Sequence, residues 1–483
     1  MPRTSEQLRR DARQIWQAGV DAVRPDRLLP EVVQVEGAAL TVGDEVIDLN
    51  AVRRIEVVGA GKAGAAMAAA LEQVLGPEVL ESKDVRGWVN VPADCVQPLA
   101  RIQLHAGRPA GVNMPTAEGV AGSEEILRRV GSLGPDDLCI CLISGGGSAL
   151  LPAPIPEITL ADKLAVTRHL HGAGANIEQL NTVRKALSRI KGGGLVRACC
   201  AGRLIALTIS DIVGDPIDMI ASGPTVEVST EQRLATISEA RNILERYGAQ
   251  DANAVAVFEY LDQRAEPSTS QVGPDGTDHH HEPACRVTNI IIGNNAVALD
   301  AAGLEAVRLG YAHVAHGACE HEGEAADVGR HLATMAVRMA REDGPDCLVT
   351  GGEPIVTLVD ESERGLGGRN MQLVLAAGEF LTSQAVDSLG ANGSNVANEI
   401  CLLSGGTDGE DGPTDAAGAW LDGDLLSRAC QQGLDAADFL RRNDAYHFFA
   451  PLHGLLMTGP TNTNVGDLRV AVVSRIQGRD STG

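Results

Sequence analysis

One pattern recurs along this chain and limits what it can fold into: a short apolar run, a polar loop rich in glycine, then a helical stretch. Ile55-Glu56-Val57-Val58 leads into Gly59-Ala60-Gly61-Lys62-Ala63-Gly64, and the apolar run 138–143 leads into Ser144-Gly145-Gly146-Gly147-Ser148. The run 203–209 is followed by Ser210, Asp211, Gly214, Asp215 and Pro216, and 289–292 by Gly293-Asn294-Asn295. Further on, 347–350 ends in Gly351-Gly352-Glu353, 401–403 in Ser404-Gly405-Gly406-Thr407-Asp408-Gly409, and 455–457 in a Thr/Gly/Asn-rich loop over 458–464. Helical spacing of apolar residues fills 159–171, 231–247, 296–309, 322–341 and 371–380, and 5–23 opens the chain as an amphipathic helix. Strand, loop and helix alternating this often predict parallel sheets wound on both faces by helices.

At 483 residues the chain is long for one core, so two domains are expected. The Pro-, Gly-, Ser-, Thr- and Asp-rich stretch 263–286 supplies the break, giving an N-terminal Rossmann-like domain over 1–270 and a C-terminal α/β domain over 286–483. The fold class expected is α/β, each domain a mostly parallel, doubly wound sheet flanked by helices. Aromatic residues make up only 2% of the chain, so alanine, valine, leucine and 55 glycines must fill and turn these sheets. The formal net charge of -24 repels nucleic acid and anionic membranes, so an anionic substrate requires a local basic pocket. The ten cysteines show no zinc spacing and read as reduced thiols. The charged amino terminus is not a signal peptide and no run reaches membrane-spanning length, so a cytoplasmic protein is expected; a homodimer is compatible with the chain. His279–His281, with Asp278 and Glu282 beside them, read as a solvated loop rather than a metal site.

Residues 180–225 concentrate the reactive side chains. Asn181 is a candidate N-cap, and Val183, Ala186, Leu187 and Ile190 repeat at helical spacing, which stacks Arg184 and Lys191 on one helix face. Gly192–Gly194 then end that helix. Asp211 and Asp215 follow the 203–209 strand at its carboxyl end, where open α/β sheets bind ligands. The alternative is a loop aspartate capping the next helix.

Gly59–Gly64 is a literal GxGxxG after a strand, but the nearest acids, Glu78 and Glu81, do not make a convincing ribose ligand. Lys62 places an ammonium at that helix start, which favours a phosphate or carboxylate site without a standard signature. Arg369 and Asn370 stand at a glycine-to-helix junction, where a guanidinium can grip an anion. Asp408, Asp411 and Asp415 lie in a strand-end loop that is not an EF-hand; Asp408 is the candidate partial Mg²⁺ ligand, against a reading as ordinary Asp-Gly turns.

The segments SGGGSALLPAP, LNTVRK, LSRIKGGGL, ISDIVGDPIDMIASGPT, TGGEP, GLGGRN, GTDGEDGPTDAAGA and TGPTNTNVGDL, in this order from about 57 to 473, together resemble the type II glycerate kinase family with its C-terminal MOFRL domain. The resemblance implies ATP-dependent phosphorylation of D-glycerate to 2-phospho-D-glycerate with Mg²⁺, in a cleft between the two domains. Carried onto matching positions, it implies catalytic roles for Lys62, Asp211 and Arg369. Substrate contacts are expected from Ser144, Gly145, Gly146, Gly147, Ser148, Arg184, Lys191 and Asp215, and nucleotide contacts from Gly59, Gly61, Glu353, Asn370, Thr407 and Asn462. The chain departs from the family where Gly107-Arg108-Pro109 replaces Gly-His-Pro and where the His279–His281 loop looks inserted. Phosphoryl transfer asks for positive charge around the transferred group and a carboxylate for the hydroxyl proton. Lys62, Arg184, Lys191 and Arg369 can supply the charge, and Asp211 is the expected base. The rival readings are an NAD(P)H-dependent hydroxypyruvate reductase and a sugar-phosphate binding module without catalysis.

Overall fold

Leu138–Ile143, apolar at every position, forms a strand buried on both faces within the first large sheet. The computed structural model describes residues 2–112, 114–249, 254–265, 285–318, 322–387 and 396–475. Three short antiparallel strands come first: β1 (Val33–Glu36), β2 (Ala39–Val42) and β3 (Glu45–Asp48). The sheet that follows contains β4 (Ile55–Ala60), β5 (Arg86–Pro92), β6 (Ile102–Arg108), β7 (Leu138–Ile143), β8 (Arg203–Ile209) and β9 (Arg286–Gly293). Its order is β6-β5-β4-β7-β8-β9, with β4 parallel to both β5 and β7, β5 to β6, and β7 to β8. Strand order therefore reverses between β4 and β7, and the crevice beyond their carboxyl ends is the topological switch point where such sheets bind ligands.

The second large sheet holds β10 (His313–Gly317), β11 (Cys347–Gly352), β12 (Ile400–Gly406), β13 (Gly418–Asp422), β14 (Leu455–Leu456) and β15 (Asp467–Val473), in the order β10-β11-β15-β12-β13-β14. The α/β class with helix-flanked sheets is as expected, but the pairing here is not mostly parallel. Only β10–β11 is parallel; β11–β15, β12–β15, β12–β13 and β13–β14 are antiparallel. The cause is β15, which inserts between β11 and β12 in the opposite sense, and β13, which follows β12 without a crossover helix. As a result the carboxyl-end glycines Gly352 and Gly406 lie in register with Asp467, the first residue of β15.

Two compact units result, and they do not divide at one point in the chain. One comprises Leu28–Ser210 and Asp215–Ile292, the other Met1–Arg27, Asp211–Gly214 and Gly293–Gly483. The opening helix, expected within 1–270, thus belongs to the unit built on the second sheet. It spans Ser5–Ala22 and is capped by Thr4 and Gln7 in a reciprocal capping box. Its stripe of Leu8, Ala12, Ile15, Trp16 and Val20 is buried against Leu299 and Ala302 of the helix Asn295–Arg308 and against Val349, Leu403 and Val470 of the sheet. Helical spacing reveals such a stripe but not which sheet it covers. Helices Ala325–Arg341 and Arg369–Asp387 cover the opposite face. The break expected at 263–286 and the His279–His281 loop fall mostly outside the described residues. Among the described residues no helix is long and apolar enough to cross a membrane.

The helix expected to start at Asn181 starts earlier. It spans Ile177–Ala186, with Asn176 as N-cap in a capping box with Gln179. It also ends earlier, because the chain turns out to pair Ser188 with Pro154 and to donate Arg189 N–H to the Ala153 carbonyl at 2.8 Å. Arg184 and Lys191 therefore do not share a helix face: Lys191 lies in the turn beyond the helix.

Candidate active site

At the switch point of the first sheet the loop after β4 is locked onto the loop after β7. Gly61 N–H donates to the Asn90 carbonyl at 3.2 Å, Lys62 N–H to the Gly145 carbonyl at 2.9 Å, and Ala63 N–H to the Ser144 hydroxyl at 3.0 Å. The amides a dinucleotide pyrophosphate would use are thus spent inside the protein. The glycines have a packing reason instead: a Cβ on Gly59 would lie 2.1 Å from the Leu142 carbonyl oxygen, and one on Gly61 2.0 Å from the Ser144 hydroxyl. What remains is the charge of Lys62. Its side chain runs past Gly146, where a Cβ would sit 3.4 Å from a Lys62 methylene and 3.3 Å from the Arg108 guanidinium. Arg108 ends β6, is buried, and donates to the Val112 carbonyl.

Beyond that loop the structure gathers Lys191, Ser148 and Ser222. Lys191 Nζ donates to the Ser148 carbonyl at 2.7 Å and also reaches its hydroxyl, which lies 3.1 Å from the Ser222 hydroxyl. Ala221 and Ser222 both sit in the left-handed region, at φ 50° and 65°, which costs about 1–3 kcal/mol each and is typical of functional turns. Lys163, to which the sequence drew no notice, is buried beside them and donates to the Arg184 and Leu187 carbonyls at 3.4 and 3.3 Å. Its signal was available: it stands in the buried stripe of its helix with Val166 and Leu170. Among the described residues no carboxylate lies within ion-pairing distance of Lys163, Arg184 or Lys191. Burial pulls Lys191 well below the usual ammonium range, with repulsion from Lys163 and Arg184 adding to it. Burial, with Arg184, likewise lowers Lys163 to about 7. Two buried lysines and a half-buried arginine gathered without a carboxylate make a place where a bound anion would restore the positive charge that burial removes. Asp215, at φ 52°, shapes the turn four residues past Asp211.

In the unit built on the second sheet, the aligned ends of β11, β12 and β15 carry an acid–guanidinium cluster. Arg369 Nε and Nη2 donate to the two Asp467 oxygens at 2.7 and 3.0 Å, and Nη1 donates to Glu353 at 2.7 Å. Burial alone would lower Arg369, but Asp467 and Glu353 raise it overall, so its charge is fixed. The Asn370 amide donates to Asp411 and Asp467 at 3.3 and 3.0 Å and accepts from the Ser404 hydroxyl, so it is wholly engaged by protein groups. Thr407 likewise serves its own loop, donating to the Gly466 carbonyl at 2.7 Å and accepting from Val465 N–H at 2.9 Å. Asn462 is exposed at φ 64°. Asp408 accepts from Glu410 N–H at 3.1 Å. Asp211 belongs to this unit and accepts from the Asn464 amide at 2.9 Å. Asp467, which the sequence does not single out, is the hub of the cluster; nothing in DLRVAVV marks its first residue as more than a strand start.

Asp411 caps the helix that begins at Arg369, accepting from the Asn370 and Met371 N–H groups at 3.0 and 2.8 Å. Burial pushes its carboxyl up to about 7 against those donors. An unfolded aspartate titrates near 3.9, so between about pH 4 and pH 7 the folded chain binds a proton that the unfolded chain does not. Stability contributed here is complete below that window and is lost as pH rises through 7. Urea unfolding at pH 5 and pH 8 should therefore show Asp411→Asn gaining on the wild type at the higher pH, by on the order of 2 kcal/mol. Parallel shifts of both proteins would show that Asp411 stays ionised throughout.

Two family models cover most of the chain: a domain of unknown function (DUF4147) over residues 11–262 and the MOFRL family over 346–467. A human glycerate kinase is 37% identical over 96% of this chain and 93% of its own length. An Agrobacterium vitis protein with a provisional hydroxypyruvate reductase name is 39% identical over 87% of this chain and 99% of its own. Among solved structures, a Thermotoga maritima glycerate kinase matches with a TM-score of 0.74 and 29% identity, covering 97% of this chain and 100% of that one.

Proposed function

On the premise that the chain belongs to the glycerate kinase family and is a kinase, we propose that it transfers the terminal phosphoryl group of ATP to the 2-hydroxyl of D-glycerate, giving ADP and 2-phospho-D-glycerate. The observation that carries the reading is the group of basic side chains near Ser148, with Lys163 and Lys191 buried and Arg184 half-buried, which have no carboxylate partner among the described residues and lie by the Ser144–Ser148 loop, onto which the Lys62 loop is locked. In this reading Lys62 neutralises charge on the transferred group, while Lys191 and Arg184 hold the glycerate carboxylate with the Ser144–Ser148 loop. Asp211 takes the proton of the 2-hydroxyl, and the Asn464 amide fixes its carboxylate. Arg369 approaches the phosphates from its contact with Glu353, the exposed member of its two ion pairs. Arg108 replaces the family histidine beside Lys62 and adds positive charge at the same loop.

Mg²⁺ is usually held by one or two carboxylates plus phosphate oxygens, and in this reading Asp408, in the loop after β12, is the protein ligand. Mg²⁺ held that way would offset the charge that builds up on the phosphates. The reading draws on groups from both compact units.

The order β6-β5-β4-β7-β8-β9 also suits a dinucleotide, and the Agrobacterium name points to a reductase. Against that stand the Gly61, Lys62 and Ala63 amides, each already donated within the protein. The test is to incubate the protein with D-glycerate, ATP and Mg²⁺. ADP and a phosphoglycerate that enolase consumes directly should form only when both substrates are present. NADH oxidation by hydroxypyruvate without ADP formation would replace the kinase with the reductase.

A further inference from the structure

A cavity of about 1050 Å³ in the unit built on the first sheet is lined by none of the residues given roles above. It is the size of a small-molecule site. Helices Thr230–Arg246 and Val255–Ala265 wall it on one side, and the Gly192–Gly194 turn and Arg197 on the other. Three of its acids are already matched: Asp218 to Lys185, Glu157 to Arg264 and Glu124 to Arg189. Arg197 and Arg233 are not. Among the described residues neither has a carboxylate within 4.0 Å, and the Arg233 side chain has no hydrogen bond. Both are exposed at the cavity wall, where desolvation and then the like charge of Arg233 lower Arg197. Tyr260 lies within the field of the same two arginines, and Gln232, Arg233, Thr236 and Ile237 of the 17-residue helix Thr230–Arg246 line the wall. Ile155, Ile237 and Val228 complete an apolar flank.

We propose that this cavity is a second anion site, distinct from the phosphoryl-transfer groups, whose Arg197–Arg233 pair takes the phosphate of a phosphorylated small molecule while Tyr260 and the apolar flank receive its body. A dianion between the two would offset their like charge, and a bidentate guanidinium contact suits a phosphate oxygen pair. The site is also wired to the turn that carries Lys191. Arg197 Nη1 donates to the Gly192 carbonyl at 2.9 Å, and Gly192 N–H in turn holds the carbonyl of Ser222 at 2.9 Å. An anion drawing Arg197 outward pulls directly on the segment that presents Lys191 to Ser148.

Inorganic pyrophosphate is the probe, measured by titration calorimetry on the full chain without nucleotide or glycerate, so the result does not depend on the kinase reading. The wild type should show a saturable binding phase that persists in Lys62→Met, beside whatever the Lys62 and Lys191 groups take up. Arg233→Gln, which breaks no side-chain hydrogen bond or ion pair among the described residues, should weaken binding about 10-fold or more, as expected for losing a charge-assisted hydrogen bond. Arg197→Gln should act in the same direction, whereas Lys62→Met should keep this phase even if it weakens binding elsewhere. The proposal fails if the wild type shows no saturable binding, if both arginine variants bind normally, or if Lys62→Met loses the binding that Arg233→Gln retains.

Discussion

Asp211→Asn should lower the single-turnover rate by about 10²–10⁴-fold at saturating ATP and glycerate, the range for losing a positioned general base. The folded chain should still bind nucleotide, because the substitution keeps shape and hydrogen-bonding capacity while removing the group that accepts the proton. The position suits a base. Asp211 closely follows β8, whose seven residues are held in the sheet, and the Asn464 amide fixes one carboxylate oxygen at 2.9 Å. Asn464→Ala should therefore lower the rate less than Asp211→Asn, since it frees the carboxylate without removing it. Asp215 is the competitor. Its left-handed φ of 52° is one that asparagine also tolerates, so Asp215→Asn preserves the turn and tests the carboxylate alone. If Asp215→Asn abolishes chemistry while Asp211→Asn leaves it intact, the two roles are exchanged.

How much of this was legible in the residues depended on whether the signal was local. The loops after β4 and β7, the strand Leu138–Ile143 and the opening helix are local patterns, and the chain folds as they read. The helix Ile177–Ala186 misled because a periodic run, Val183 to Ile190, continues past the point where Ser188 turns to pair with Pro154, a non-local contact. The pairing sense of the second sheet was likewise invisible: β15 enters between β11 and β12 from far along the chain, and an apolar strand carries no mark of its direction. That same insertion creates the hub at Asp467, so the unmarked acid and the unforeseen topology have one cause. Gly59 and Gly61 show the converse. Their spacing is that of a dinucleotide fingerprint, yet the space a Cβ would need is occupied by Leu142 and Ser144. A glycine motif reports close approach of something; here the structure supplies the neighbouring strand and its loop.

Lys62→Met should lower kcat/KM by about 2–4 kcal/mol, roughly 30- to 1000-fold, the range for removing one preorganised electrostatic donor from a transition state. The local geometry holds the backbone here without help from the ammonium. Lys62 is held through its backbone, by its N–H on the Gly145 carbonyl at 2.9 Å, and its neighbours are fixed through Gly61 and Ala63 N–H. The methylenes that pass Gly146 are nearly reproduced by methionine, so the stem stays packed and only the ammonium is lost. If that charge acts on the transferred phosphoryl group, the loss should fall mainly in kcat, with KM for glycerate little changed; if it acts on the glycerate carboxylate in the ground state, KM should rise instead. Arg108, whose guanidinium borders the same glycine, limits the damage by leaving positive charge beside the loop, so Lys62→Met should cost more once Arg108 is changed to histidine than it does alone. Strict additivity of the two substitutions would mean that the two cations serve different groups. A folded Lys62→Met protein with undiminished kcat/KM would leave this lysine only the backbone role that its N–H already performs.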